Sequence, residues 1–237
     1  KEERMNLATR LADGIAGLGF TIPHETQLLL LQYLALIQKW NHVHNLTAVR
    51  EPETMLARHL LDSLAILPHI AGERIADVGS GAGLPGLCLA IARPDLELTL
   101  IEPLERRVIW LQEVVDDLGL ENVTVMRTRA ELAAGMVNAD VVTARAVSAL
   151  SNLAGLTIPL LAGKGEVVAI KGRSAGEETI ASTASTRMAD RLAVNNRAAP
   201  AATTSPCPRR RWCCAARNAD RSPHRRRARR RPRTRSP

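Results

Sequence analysis

Aromatic residues are scarce in this chain: one Phe, one Tyr and three Trp, 2% of 237 residues. Any core must therefore be packed from aliphatic side chains, and 46% hydrophobic residues suffice for one core in a single domain of moderate size. No apolar run is long enough to cross a bilayer as a helix. Cysteines number only four. Cys88 falls in a helical stretch of the core and Cys207, Cys213 and Cys214 lie near the C-terminus, which is no disulfide framework. The expected compartment is a reducing cytoplasm. The start, Lys1-Glu2-Glu3-Arg4, carries no signal-peptide hydrophobic region, and with no Met at position 1, Met5 is an alternative start. Lysine is missing where positive charge is densest. Residues 181–237 hold 16 Arg, no Lys and two acids, a balance of +14, so residues 1–180 carry 16 bases against 22 acids, or −6. The net charge of +8 belongs to the tail, and the body is acidic.

What the chain does have is a glycine-rich turn, Asp77-Val78-Gly79-Ser80-Gly81-Ala82-Gly83-Leu84-Pro85-Gly86. It follows the strand-like run Arg74-Ile75-Ala76-Asp77-Val78 and precedes the helix-like run Leu87-Cys88-Leu89-Ala90-Ile91-Ala92, closed by Pro94. In that context glycines let a loop turn sharply and let a ligand lie against the backbone, beside free N–H groups at a helix start. A nucleotide-like cofactor is the expected occupant. Glu102 ends the next strand-like run, Leu96-Glu97-Leu98-Thr99-Leu100-Ile101, where a carboxylate can accept hydrogen bonds from both ribose hydroxyls. Dinucleotide-binding domains and S-adenosylmethionine enzymes share this arrangement. Asp77 favours the second class: it can hold the loop or reach the methionine amino group through water, whereas a dinucleotide site more often has an apolar residue there, leaving room for pyrophosphate. The bland alternative is a glycine turn with no ligand.

The hydrophobic pattern divides the chain. Residues 25–40 carry Leu28, Leu29, Leu31, Leu34, Leu36 and Ile37 at the spacing of a packed helix face. A second helix is expected after Glu51, with Pro52 in its first turn, apolar Met55, Leu56, Leu60, Leu64 and Leu67, and Pro68 as its end. These form an N-terminal helical extension, residues 1–70. From Arg74 strand-like runs at 74–78, 97–101, 123–127, 139–144 and 166–171 alternate with helical or loop stretches, the clearest being Arg106 to Leu118. That alternation implies an α/β fold, a doubly wound parallel sheet over residues 71–173. From Ser174 to Pro237 the chain is rich in Arg, Pro, Ala, Ser and Thr, with little aliphatic periodicity. It reads either as a basic disordered arm that binds RNA or as GC-rich DNA translated out of frame; the frameshift is the reading adopted, and on either the tail is not expected to fold independently.

Trp40-Asn41, Asn45-Leu46-Thr47, Arg58-His59-Leu60-Leu61-Asp62-Ser63, the glycine turn and Lys171-Gly172 occur in that order. Together they resemble the bacterial 16S rRNA guanine-N7 methyltransferase G family, also called glucose-inhibited division protein B, over roughly residues 25–173. The resemblance implies a Rossmann-like class I S-adenosylmethionine-dependent methyltransferase fold whose final strands are missing here. It implies that Gly79 and Leu84 contact the cofactor, which adds to the reading of Asp77, Gly81, Gly83 and Glu102 as its binding residues. Ala130 and Glu131 match a pair where the adenine is expected, and Arg145 matches an arginine associated with cofactor and substrate, the one candidate catalytic residue. The family often has Ser before that arginine, where this chain has Ala144. Past Lys171-Gly172 the family continues with a helix and two strands, which nothing in residues 174–237 matches. The implied partner is 16S rRNA in the small ribosomal subunit, with no metal, no membrane and a monomeric enzyme.

Other residues have bland readings beside the sharp ones. Arg58 with Asp62, and His59 with Ser63, stand four apart on one expected helix, as an i,i+4 ion pair on a solvated face or as a face over cofactor or substrate. His42 and His44 suggest a metal only if further ligands join them, and read as loop histidines. Cys88 reads as a small buried residue rather than a nucleophile. Arg106 and Arg107 open a helix, where the dipole disfavours cations; that hints at RNA phosphate contact, with Glu105 offsetting part of the charge. The chain shows no nucleophile–base pair and no Asn-Pro-Pro-aromatic motif for methylating an exocyclic amine. The reading adopted is methyl transfer from S-adenosylmethionine to guanine N7. The alternatives are a NAD(P)-dependent oxidoreductase and a non-catalytic RNA-binding protein acting through the basic tail.

Overall fold

Five short apolar runs rich in Val, Leu and Ile become five adjacent parallel strands, as buried strands covered on both faces should. In the computed structural model, which describes residues 2–145, 150–171 and 192–196, these are β1 (Arg74–Val78), β2 (Glu97–Ile101), β3 (Val123–Met126), β4 (Ala139–Arg145) and β5 (Leu161–Lys171). A sixth strand, β6 (Leu192–Asn196), completes the order β3-β2-β1-β4-β5-β6, with every pairing parallel. The chain runs outward from β1 through β2 to β3, then returns to the other side of β1 for β4. The loops after β1 and β4 therefore meet where the strand order reverses, the usual place for a ligand in such sheets.

Helices α1 (Glu2–Gly17), α2 (His24–His44), α5 (Gly86–Ala92) and α6 (Glu105–Leu118) share one apolar cluster that includes Leu11, Tyr33, Leu60, Cys88 and Trp110. Tyr33 and Trp110 are fully buried there, and Phe20 and Trp40 pack against the same cluster partly buried. The first helix went unread because its buried line, Leu7, Leu11 and Ile15, is a single narrow stripe. The second expected helix is not one regular helix. It runs as α3 (Pro52–Met55), a π-helical segment Leu56–Leu61 and a short α4 (Asp62–Leu64), with Pro68 in a following 3₁₀ turn. A π segment widens one turn and re-aims its carbonyls, a local geometry that clusters at functional sites. Past Gly135, β4 leads to α7 (Leu150–Thr157), which packs Leu153 against the opposite face of the sheet with Leu160 and Val167.

The final strands are expected to be missing, yet β5 does not end the sheet. Val167 to Lys171 pair in register with Leu192 to Asn196. The physical reason is a short run, Leu192-Ala193-Val194-Asn195-Asn196, free of proline and arginine, inside an otherwise unsuitable tail. The rest of residues 172–237, including the Arg/Pro-rich stretch and Cys213-Cys214 on which the disordered-arm and frameshift readings rest, lies outside the described residues. Because an uncovered strand edge presents unpaired backbone groups, cutting the chain after Arg173 should lower its melting temperature and promote aggregation. Cutting after Ala199 should leave the melting temperature nearly unchanged. Thermal denaturation of both truncations checks this; equal melting temperatures would show that β6 contributes nothing.

Candidate functional site

The glycine turn needs backbone that only glycine adopts easily. Gly79, Gly81 and Gly83 have φ of 69°, 58° and 99°. At Gly83 a Cβ would also run into Leu87 and lie 3.0 Å from the Tyr33 hydroxyl. The turn is pinned at each step. Gly79 N–H donates to the Ile101 carbonyl at 2.9 Å, tying the loop to the end of β2, and Gly83 N–H donates to Ser80 O at 2.7 Å. The Ala82 carbonyl accepts from the Tyr33 hydroxyl at 2.8 Å and from the Trp110 indole N–H at 3.1 Å. Burial pushes the Tyr33 phenol well above its ordinary pKa, so it remains a donor.

Two buried carboxylates organise the loop from opposite sides. Asp77, fully buried at the end of β1, accepts from the Thr143 hydroxyl at 2.8 Å and from the Gly86 N–H at 3.3 Å, so it holds β4 and the start of α5 together. Glu102, 1% exposed, accepts from the Gly81 N–H at 2.9 Å and the Leu104 N–H at 3.0 Å, with the Arg107 guanidinium 3.8 Å away. Arg107 is thus drawn to Glu102 rather than offered to a phosphate. Glu105 does not offset it, since Glu105 pairs with Arg127 at 2.7 Å. Arg106 stays exposed at the start of α6.

Burial pushes the Asp77 carboxyl up to about 6, against the partly opposing bonds from Thr143 and Gly86. A carboxyl whose pKa is raised on folding favours the folded state while protonated. That stability is present below about pH 4 and is lost as pH rises through about 6, by about 3 kcal/mol. His59, lowered to about 4, contributes in the opposite sense over the same range, so Asp77→Asn should make stability rise more steeply with pH between those values than it does in the wild type, a constant offset aside. Asp140, held down at about 2 by the Arg74 guanidinium, changes only below that range and is common to both proteins. Denaturant melts of both across that range test it; parallel curves would mean that Asp77 does not titrate there.

Arg145 ends β4, beside the end of β1, and donates from Nη1 to the Arg58 carbonyl of the π segment at 2.9 Å. This contact brings the Arg-His-Leu-Leu-Asp-Ser block over the strand ends. The Asn-Leu-Thr block joins it from the other side. Asn45 ends α2 in the left-handed region, which asparagine tolerates. Asn41 Oδ1 accepts from Thr47 N–H at 2.9 Å, and Thr47 Oγ1 lies 2.9 Å from His59 Nε2. Burial, then the charge of Arg145, lowers His59 to about 4, so it is neutral at pH 7. Its Nδ1 and the Ser63 hydroxyl oxygen have no hydrogen-bond partner among the described residues. His59 and Ser63, 4% and 0% exposed, lie on the buried side of this π-helical stretch rather than on a solvated face, while Arg58 is exposed.

The remaining expected residues divide. Ala130 opens a 3₁₀ turn after β3 and packs with Val78, Ile101 and Ala144, while Glu131 beside it is exposed. Leu84 directs its side chain into the cluster of Tyr33 and Trp110, and the Leu84–Pro85 peptide is cis. Burial drives the Cys88 thiol up to about 12, which fits an inert core residue. His42 and His44 are in the last turn of α2, not a loop, with the His44 ring 5.8 Å from Trp40 and 6.1 Å from Trp110. Among the described residues no group of three or more His, Cys, Asp or Glu could hold a metal, and no helix is long and apolar enough to cross a membrane. Sequence reasoning missed Thr143, Tyr33 and Trp110, all of which hold the loop across long sequence separations. Ala144 stands where the family often has Ser, and Thr143, one residue earlier, gives its hydroxyl to Asp77.

The family model described as rRNA small subunit methyltransferase G matches residues 26–201. The match runs past Gly172 and includes β6, so the resemblance does not stop where its motifs do. The ribosomal RNA small subunit methyltransferase G of Arthrobacter sp. (strain FB24) is 84% identical over 130 residues, 54% of this chain and 60% of that protein. The protein of the same name from Nitrosospira multiformis is 54% identical over 181 residues, 73% of this chain and 84% of the relative. That from Neisseria meningitidis serogroup B is 45% identical over 175 residues, with the same coverage. The chain thus spans only about 60% of the first of these relatives.

Proposed function

Since the chain belongs to the rRNA small subunit methyltransferase G family, we propose that it transfers a methyl group from S-adenosylmethionine to N7 of a guanine in 16S rRNA. The observation that carries the cofactor class is Asp77. Its carboxylate already takes the N–H of Gly86, the first residue of α5. A pyrophosphate beside it would meet a negative charge; a sulfonium cofactor, which is cationic and carries no phosphate, would not. Glu102, whose carboxylate at the end of β2 suits ribose hydroxyls, fits either cofactor class. On this reading Asp77, Gly79, Gly81, Gly83, Leu84 and Glu102 hold the methionine and ribose parts, Leu84 through its backbone, and Ala130 with Glu131 flanks the adenine.

The cofactor supplies an electrophilic methyl group. Guanine N7 has a free lone pair and no proton to lose, so the protein need only align it. Arg145, latched to the π segment at the strand-order switch, is the residue that would orient cofactor and base. His59, lowered to about 4, is a weak base and the protonated Cys88 thiol a weak nucleophile, which fits a reaction that needs neither. The exposed Arg106 suits a phosphate of the RNA, on an otherwise acidic body. A monomer in the cytoplasm, with a helical region 1–70 ahead of a cofactor-binding core, completes the reading. Titration calorimetry tests it: S-adenosylmethionine should bind and NADH should not. Binding of NADH alone would favour the oxidoreductase alternative.

A further inference from the structure

The Ala82 carbonyl sits at the centre of the glycine turn and is one of the most heavily constrained atoms in the chain. A carbonyl oxygen has two lone pairs. One takes the hydroxyl proton of Tyr33, from the middle of α2, at 2.8 Å; the other takes the indole N–H of Trp110, from α6, at 3.1 Å. Both side chains are 0% exposed, and they come from 49 and 28 residues away. They are the single tyrosine of the chain and one of its three tryptophans. Apolar packing alone would be served by Phe or Leu at both positions, so two polar aromatics meeting on one carbonyl call for another account.

We propose that Tyr33 and Trp110 are positioning residues for the cofactor: they fix the Ala82–Gly83 peptide so that the glycine turn is preformed to receive S-adenosylmethionine. This rests on the methyltransferase reading above. Rotating that peptide would break both bonds and leave two buried donors unpaired, a costly change in a dry site. One neighbouring contact lies in the same plane: Gly83 N–H donates to Ser80 O and would be lost on a flip of the Ala82–Gly83 peptide. Gly81 N–H, two peptides earlier in the same turn, donates to Glu102 Oε2. The N-terminal helical region thereby acts on the site without touching the ligand. Tyr33 carries α2 into the loop, and Asn41, further along the same helix, anchors the segment whose Thr47 holds His59.

The test compares wild type, Tyr33→Phe and Trp110→Phe by titration calorimetry with S-adenosylmethionine, reading both affinity and stoichiometry well below each melting temperature. A merely structural role would reduce the fraction of competent protein, lowering stoichiometry at unchanged Kd. The proposal predicts unchanged stoichiometry with Kd weakened about two- to tenfold in each variant, the loss of one buried hydrogen bond. In turnover, KM for S-adenosylmethionine should rise with KM for the RNA unchanged. If wild type binds S-adenosylmethionine and both variants bind it equally well, the positioning role is overturned while the function stands. If wild type itself does not bind, the functional reading fails and this inference falls with it.

Discussion

Replacing Glu102 by Ala is expected to weaken S-adenosylmethionine binding by about 10- to 150-fold, the equivalent of about 1.5–3 kcal/mol for a charge-assisted hydrogen-bond acceptor. The carboxylate is 1% exposed and receives the N–H groups of Gly81 and Leu104. Its removal deletes the proposed ribose acceptor and also leaves two backbone donors and the half-buried Arg107 without their shared partner. Glu102→Gln should fall between: it keeps an acceptor oxygen but loses the charge and turns a donor towards Gly81 or Leu104. Calorimetry on the three proteins gives the order directly. An alanine variant with wild-type affinity would mean that Glu102 only braces the loop.

Arg145→Ala is expected to lower kcat/KM for methyl transfer by a similar factor, about 10- to 150-fold, with the protein still folded. The guanidinium stands at the C-terminal end of β4 and holds the π segment through the Arg58 carbonyl, so its loss removes the strand-end cation and frees the Arg58–Ser63 turn. Arg145→Lys should recover little, because a lysine lacks the planar fork that can hold a carbonyl and a second acceptor at once. Single-turnover rates with saturating cofactor, alongside melting temperatures, distinguish lost chemistry from lost structure. A folded Arg145→Ala protein with full activity would remove this residue from the reaction.

Much of the sheet was legible because parallel buried strands announce themselves as short aliphatic runs. Arg74–Val78 and Glu97–Ile101 stand where the pattern puts them, and Glu105–Leu118 begins one residue early. The glycine turn and its two acids were legible for a similar reason: the chemistry of a backbone-lined site restricts residue types locally. What the sequence could not disclose depends on partners far along the chain. Nothing near Tyr33 or Trp110 indicates that both end on Ala82, and nothing near Thr143 points to Asp77 66 residues away. The π segment escaped because apolar spacing at Met55, Leu56, Leu60 and Leu64 is equally compatible with an ordinary helix. The pairing of β6 escaped because five usable residues sit in a stretch whose composition argues against any strand.

The measurement that bears most directly on the whole account is product analysis. Small ribosomal subunits from cells lacking the family gene would be incubated with the purified protein and methyl-labelled S-adenosylmethionine, and the 16S rRNA digested to nucleosides for mass spectrometry. The account predicts labelled 7-methylguanosine at about one per subunit, absent without protein and strongly reduced with Glu102→Ala or Arg145→Ala. Label in another nucleoside, or none in 7-methylguanosine while the protein demonstrably binds S-adenosylmethionine, would contradict it.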